Sequence, residues 1–198
     1  MAGTWQRLAH VSLSSAGDTI DSGTFTAKEN LKIIVYGIAS GNLDMIYLRF
    51  NSDSGNNYGF RKSNDGGSYD TNTSISGVLY HTNNSASDTY AVFNIRNVSN
   101  KEKLIIGESR DNNTNGAGNA PRRKEFVSKW ANTSAQITSV QAVNGGTGDF
   151  AAGSYITVLG ASGDVTSDTT PDGTIWEESD TGKHYIWNAT SDTWSEIE

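Results

Sequence analysis

The chain contains no cysteine. That excludes a disulfide framework and any thiolate metal site, and it fits synthesis in a reducing cytoplasm. Proline occurs only twice in 198 residues, whereas glycine occurs 21 times, so the turns must be made from Gly, Asn, Asp and Ser. Charged residues are only 19% of the chain, too few for a charge-driven disordered tail. The net charge of -7 is spread thinly. Nucleic acid is therefore not expected as a partner, because phosphate contacts need clustered Lys and Arg. The one basic cluster, Arg122-Arg123-Lys124, reads first as a solvated strand start and second as a partner contact. His10, His81 and His184 lie far apart, without the paired spacing of a metal site. No apolar run approaches the length of a membrane span, so no membrane partner is expected. The opening Met1-Ala2-Gly3-Thr4-Trp5-Gln6-Arg7 lacks the basic and apolar regions of a signal peptide. Lysis or packaging in a particle is the simpler expected route out of a cell.

Hydrophobic residues make up 35% of the chain, with 5 Trp, 8 Tyr and 6 Phe among them. They recur in short, evenly spaced runs, and helical periodicity is nearly absent. Strands are expected over 5–13, 31–38, 43–50, 74–81, 90–97, 103–107, 125–130, 135–143 and 155–159, with a short pair around Ser22-Gly23 that turns Ile20 and Phe25 inward. Ala91, Phe93 and Ile95 share one face of their strand. The other face carries Tyr90, Val92, Asn94 and Arg96, a mixture suited to a partner. The 31–38 and 43–50 runs are apolar on both faces, which fits burial on both sides. Residues 119–130 suit a short helix through Asn119 and Pro121, or a strand through the alternation of Phe126, Ser128 and Trp130. The strand is preferred.

Nine or ten short antiparallel strands in this span imply an all-β sandwich, with a jelly roll as the expected winding. The body is expected to cover residues 1–162, followed by a polar linker at 163–172. The segment 110–120, rich in Asn and Gly, is expected to be a long loop of the kind that contacts partners. Arg110, Asn112, Asn113, Arg122 and Arg123 are its candidate contact residues.

Residues 173–198 form the second region. Two aromatic runs flank the turn Ser179-Asp180-Thr181-Gly182, and a third run, Thr193-Trp194-Ser195-Glu196-Ile197, follows another polar turn. This reads as a three-stranded β-meander. Trp176, Tyr185, Ile186, Trp187 and Trp194 are too many large apolar groups for so small a sheet standing free, so they are the expected attachment residues.

The pattern Asp172-Gly173-Thr174, Glu177-Glu178, Asp180-Thr181-Gly182-Lys183, Tyr185, Trp187 and Trp194 resembles a C-terminal element of tailed-phage structural proteins. In the body, Ser22-Gly23-Thr24-Phe25-Thr26-Ala27-Lys28, the run from Leu48 to Tyr58, Gly116-Ala117-Gly118-Asn119-Ala120-Pro121 and the run from Lys129 to Thr138 are similar to a family of marine tailed-phage virion proteins. The resemblance implies a β-sandwich virion component, either outer-capsid decoration or a head fibre. It also implies virion location after synthesis in the host cytoplasm, and other virion proteins and copies of the chain itself as partners. It carries no catalytic residue.

The residues themselves offer little chemistry. Glu177 and Glu178 are adjacent and point to opposite faces. There is no Gly-x-Ser-x-Gly elbow and no phosphate-cradling loop. Asp53, Asp149, Asp164, Asp168 and Asp172 lack the spacing of a calcium loop, so solvated turns are expected and no cofactor is assigned. Tyr58, Phe60, Tyr69, Tyr80 and the meander aromatics could stack on sugars. A carbohydrate-binding module contacting host-surface glycan is therefore the alternative function, and a polysaccharide hydrolase the third.

Overall fold

The structure is a computed structural model that describes residues 5–82, 86–112, 114–162, 173–178, 180–188 and 193–197. The expected linker, 163–172, and Asn113 lie outside the described residues. The chain divides into two compact units, a body at Trp5–Ala161 and a second unit within Ser162–Glu198.

The body is all strand: β1 (Gln6–Ser12), β2 (Thr19–Asp21), β3 (Asn30–Gly37), β4 (Ala39–Ser40), β5 (Ile46–Phe50), β6 (Tyr58–Asn64), β7 (Tyr69–Ile75), β8 (Val78–His81), β9 (Thr89–Arg96), β10 (Lys103–Asp111), β11 (Arg122–Trp130), β12 (Val140–Val143), β13 (Asp149–Phe150) and β14 (Tyr155–Ala161). Eight of these form four nested antiparallel pairs. β5–β8 is innermost, then β3–β9, β2–β12 and β1–β14. The nested hairpin wraps so that β1-β14-β3-β9 form one sheet and β2-β12-β5-β8 the other. That is the jelly-roll winding. Two inserted hairpins modify it: β6–β7 leaves the chain between β5 and β8, and β10–β11 leaves it between β9 and β12. Both add to the free edge of β9, giving an eight-stranded sheet in the order β1-β14-β3-β9-β10-β11-β6-β7.

The core follows from alternation. Leu31, Ile33 and Val35 on β3, Phe93 and Ile95 on β9, Ile105 on β10, and Phe126 and Trp130 on β11 point inward. They meet Ile46, Leu48 and Phe50 of β5 and Val140 and Ala142 of β12. Ile20 and Phe25 join them, as their spacing implied. Gly107 faces Phe126 across the β10–β11 pair. A side chain at 107 would collide with that ring, so the absent Cβ is what lets the aromatic lie flat on the sheet.

Several elements differ from the sequence expectation. β5 starts at Ile46 because Met45 adopts a left-handed backbone (φ 47°) and Asn144 Oδ1 accepts the Asp44 N–H at 3.0 Å. The 135–143 run pairs as a strand only from Val140. Its first half is held by asparagine side chains instead: Asn51 Oδ1 accepts from Thr138 and Ser139 N–H, and Asn97 Oδ1 accepts from Ile137 N–H. Such bonds compete with ladder pairing. The 74–81 run is split between the end of β7 and the start of β8. The loop expected at 110–120 is shorter, because Arg110 and Asp111 pair with Arg123 and Arg122 and extend the ladder. Residues 119–130 hold a strand rather than a helix. β6 and β7 were not foreseen. β7 (Tyr69–Ile75) is almost entirely exposed and polar, a composition suited to an edge that must not pair with other chains.

The second unit holds β15 (Ile175–Glu178), β16 (Lys183–Asn188) and β17 (Thr193–Ile197), paired in that order as an antiparallel meander.

Candidate interaction surfaces

Antiparallel sheets with one solvated face normally show polar residues on it. The outer face of the eight-stranded sheet does not. Leu104, Ile106 and Val127 project from β10 and β11 with 60%, 66% and 51% of their surface exposed. Ile106 and Val127 are directly opposite across the strand pair, and Arg61 follows Val127 on β6. The next row toward the β10–β11 turn pairs Glu108 with Glu125, and the row after it pairs Arg110 with Arg123. Like charges directly opposite are unfavourable. Here each is offset along its own strand: Arg110 donates to Glu108 at 2.9 Å, and Arg123 lies 3.8 Å from Glu125. The Arg110 bond holds the Glu108 carboxyl below its ordinary range. On the other side of the apolar row, Leu104 is flanked by Lys129 on β11 and Arg96 on β9. Lys129 meets Glu102 at 2.8 Å and Arg96 meets Glu29 at 3.1 Å. A shallow depression between Tyr69, Arg61, Val127, Ile106 and Val92 lies on this face.

A second feature of the same face is a tyrosine row. Tyr155 on β14, Tyr36 on β3 and Tyr90 on β9 are in register. The Tyr36 and Tyr155 rings lie 5.7 Å apart, and His10 on β1 lies 5.5 Å from Tyr155. Partial burial and the nearby Asp88 carboxylate raise the Tyr36 phenol above its ordinary value. Tyr90 lies on the outward face of its strand, as its alternation implied, whereas its alignment with Tyr36 and Tyr155 and the exposed Leu104, Ile106 and Val127 were missed at the sequence level. Their only signal was the run Leu104-Ile105-Ile106, which makes a strand apolar on both faces. The tyrosines are far apart in the chain, and only the register unites them.

The expected contact loop is brought together only in part. Arg110 and Arg123 are exposed strand residues on this face, and Asn112 begins the loop beyond them. Arg122 is a structural group: its Nε donates to Asp111 Oδ1 at 2.7 Å, and Asp111 is buried with His81 at 3.8 Å and Lys124 at 3.9 Å. Burial lowers the Lys124 ammonium from its ordinary value, partly opposed by Asp111. His81, Asp111 and Lys124 have acid–base character but are enclosed. They lie against one another inside the sandwich.

Three of the aromatics considered for sugar stacking are core residues. Tyr58, Phe60 and Tyr80 are buried, while Tyr69 is exposed. The Tyr58 hydroxyl accepts from Phe50 N–H at 3.0 Å and donates to the Asp53 carbonyl at 3.1 Å. Asp53 is occupied as well: its carboxylate takes the Trp130 indole N–H at 2.7 Å, the Asn57 amide and the Gly55 N–H. Burial pushes its carboxyl up, but these three donors outweigh it and hold the group below its ordinary range. Asp18 and Asp149 share a hydrogen bond that raises the Asp18 carboxyl, helped by partial burial. Hydrogen-bonded carboxyls are closer than the roughly 5 Å that a glycosidase pair needs.

In the meander, Trp176 pairs with Tyr185 and Trp187 with Trp194 across strands. The rings are 5.4 Å and 5.2 Å apart, and Trp176 lies 6.4 Å from Trp194. These four aromatics share one face. Ile186 falls on the opposite face, beside the exposed Ile175, so the five expected attachment residues divide between two sides. The Trp187 indole N–H is buried and has no acceptor among the described residues.

No family model matches the chain, and neither the curated proteins nor the solved structures contain a detectable relative.

Proposed function

We propose that this chain is a non-enzymatic structural component of a tailed-phage particle, acting as outer-capsid decoration or part of a head fibre. The phage assignment rests on the sequence resemblance. The observation that carries an assembly role is the outer sheet face, where Leu104, Ile106 and Val127 are exposed together on strands added to the jelly roll. Monomeric proteins rarely leave such a patch uncovered. The meander supports the same reading: its aromatic face is large for so few strands, and the Trp187 N–H has no acceptor among the described residues. The body serves as a rigid block and the meander as an attachment module. The test is reattachment. Particles stripped of this protein are mixed with the full chain or with Trp176→Ser/Trp194→Ser and then sedimented. The full chain is expected to co-sediment and the variant to stay in the supernatant. Failure of the full chain to bind, together with its absence from purified particles by mass spectrometry, rejects the assignment.

The tyrosine row favours a second reading, a carbohydrate-binding module. Adjacent strands space Tyr155, Tyr36 and Tyr90 at about 5 Å intervals, a platform on which sugar rings could stack. Glycan-array binding by the full chain that is lost in Tyr90→Ala, with the fold intact, would put this reading first.

A further inference from the structure

We infer that the outer face of the eight-stranded sheet is the contact between two copies of this chain, related by a two-fold axis that runs across the strands through Ile106 and Val127. This goes beyond the particle assignment and does not rest on it, since it concerns the body alone.

The argument starts from the order of rows along β10 and β11. Moving from the β10–β11 turn, the outward residues are Arg110/Arg123, then Glu108/Glu125, then Ile106/Val127, then Leu104/Lys129. A face-to-face pair of copies can be related by an axis along the strands or by one across them. An axis along the strands, between β10 and β11, sets Glu108 over Glu125 of the second copy and Arg110 over Arg123. Every charged row then meets itself, at a cost of like-charge repulsion in a desolvated interface. An axis across the strands through Ile106 and Val127 reverses the order of rows in the second copy. Ile106 and Val127 then meet their own copies at the centre, Glu125 meets Lys129 of the second copy, and Glu108 meets Leu104; at the two ends of the axis row Arg61 on β6 and Lys32 on β3 meet their own copies. Further out on β9, Val92 approaches Arg96 of the second copy. Of these two orientations, only this one sets opposite charges together at the centre of the face, as an isologous interface favours.

Size agrees. Six strands at about 4.8 Å and the three overlapping rows at about 6.8 Å span roughly 29 Å by 20 Å, on the order of 600 Å² per copy. That gives about 1,200 Å² in total, at the lower edge of specific interfaces. The composition agrees as well: an apolar centre is rimmed by paired charges. The half-buried outward Ile34 on β3, in the Glu108/Glu125 row, extends the contact toward β14. This explains why the 31–38 run reads as apolar on both faces although only one of them meets the core.

The experiment is analytical ultracentrifugation of the full chain across a concentration series, with circular dichroism confirming that each variant is folded. The full chain is expected to dimerise. Ile106→Asp is expected to weaken dimerisation at least tenfold, and the exposed Asn56→Ala to leave it unchanged. Glu125→Lys and Lys129→Glu are each expected to weaken it, and the double exchange to recover most of the loss, because the two positions face each other across the axis. A monomer at about 100 μM, where even a weak specific interface should be occupied, overturns the inference. A trimer, association indifferent to Ile106→Asp, or a double exchange no better than either single change overturns it too. A chain that dimerises in this way but never binds particles would keep this inference and reject the proposed function.

Discussion

Replacing Asn97 by Ala tests whether asparagine side chains hold this fold where its ladders stop. Asn97 is fully buried. Its Oδ1 accepts the Ile137 N–H at 2.7 Å, and its Nδ2 donates to the Ile137 carbonyl at 3.2 Å and the Lys28 carbonyl at 3.0 Å. The side-chain amide thus pairs with both backbone groups of Ile137, as a neighbouring strand would. Ala would strand a buried N–H, at about 1–3 kcal/mol, and leave two carbonyls short of a donor at about 0.5 kcal/mol each. The expected loss is about 3 kcal/mol, a large part of the roughly 5–15 kcal/mol typical of a domain. Asn51 clamps the same segment through Thr138, Ser139 and the Gln136 carbonyl. The double variant is therefore expected to lose less than the sum of the single changes, by about 0.5–1 kcal/mol or more. Equilibrium urea unfolding followed by tryptophan fluorescence measures both quantities, and an unchanged m value confirms that stability alone has moved. Exposed Asn56→Ala serves as the control. A loss at Asn97 under about 1 kcal/mol, below the cost of a single stranded buried donor, or strict additivity with Asn51, would refute the reasoning.

The Asp53 carboxyl is depressed in the folded state, so its stabilising contribution is present above the ordinary carboxylate range and lost as pH falls through the lowered value. Asp53→Asn is expected to flatten the decline of the urea midpoint below about pH 4, and an unchanged slope counts against the Trp130 contact as its cause. Gly107→Ala forces the Phe126 ring to move and is expected to cost about 1–3 kcal/mol; thermal unfolding reads this, and Gly107→Ala/Phe126→Leu should regain part of the loss. Truncation after Ala161 is expected to leave the body's melting temperature within about 2 °C, less than 1 kcal/mol for a domain of this size, because the core cluster is drawn wholly from the body. A truncated chain that fails to fold would sink the division into body and attachment module.

How far the structure could be read from the sequence depends on what each strand buries. β3, β9 and β11 carry strong inward alternation, and their positions were legible. β6 and β7 were not, because the inward alternation of Tyr58 and Phe60 on β6 breaks at Lys62, whose partner is the exposed Asp70 at 3.5 Å, and β7 is exposed and polar almost throughout. The start of the 135–143 run looks like a strand because its apolar residues do pack. What it lacks is a ladder partner, and that is supplied by Asn51 and Asn97 from elsewhere in the chain. The abundance of asparagine was visible as composition, yet its role was not. A backbone clamp and a solvated turn use the same residue, and only the tertiary fold tells them apart. The meander was legible from its turns and aromatics, but not the placement of Ile186 on the face away from the tryptophans.

The two inserted hairpins explain why an assembly surface lies where it does. An eight-stranded jelly roll needs neither β6–β7 nor β10–β11 to close its nested pairs. Those strands do not form a third layer. They widen one sheet, and β8 packs beneath them through contacts with β11, β6 and β10. Their inner face pays for itself with Ile105, Phe126 and Trp130 in the core. Their outer face gains the apolar row and both charged rows, none of which lies on the four jelly-roll strands of that sheet. Polar β7 closes the new edge against uncontrolled pairing, so growth of the sheet stops there and contact is directed through the face. If the insertions exist to build that surface, changes at Ile106 and Val127 should disturb association while leaving the urea midpoint of the monomer nearly unchanged, because exposed positions contribute little to the fold. A large loss of monomer stability in Ile106→Asp would mean that the row belongs to the body's own packing, and the insertions would need another explanation.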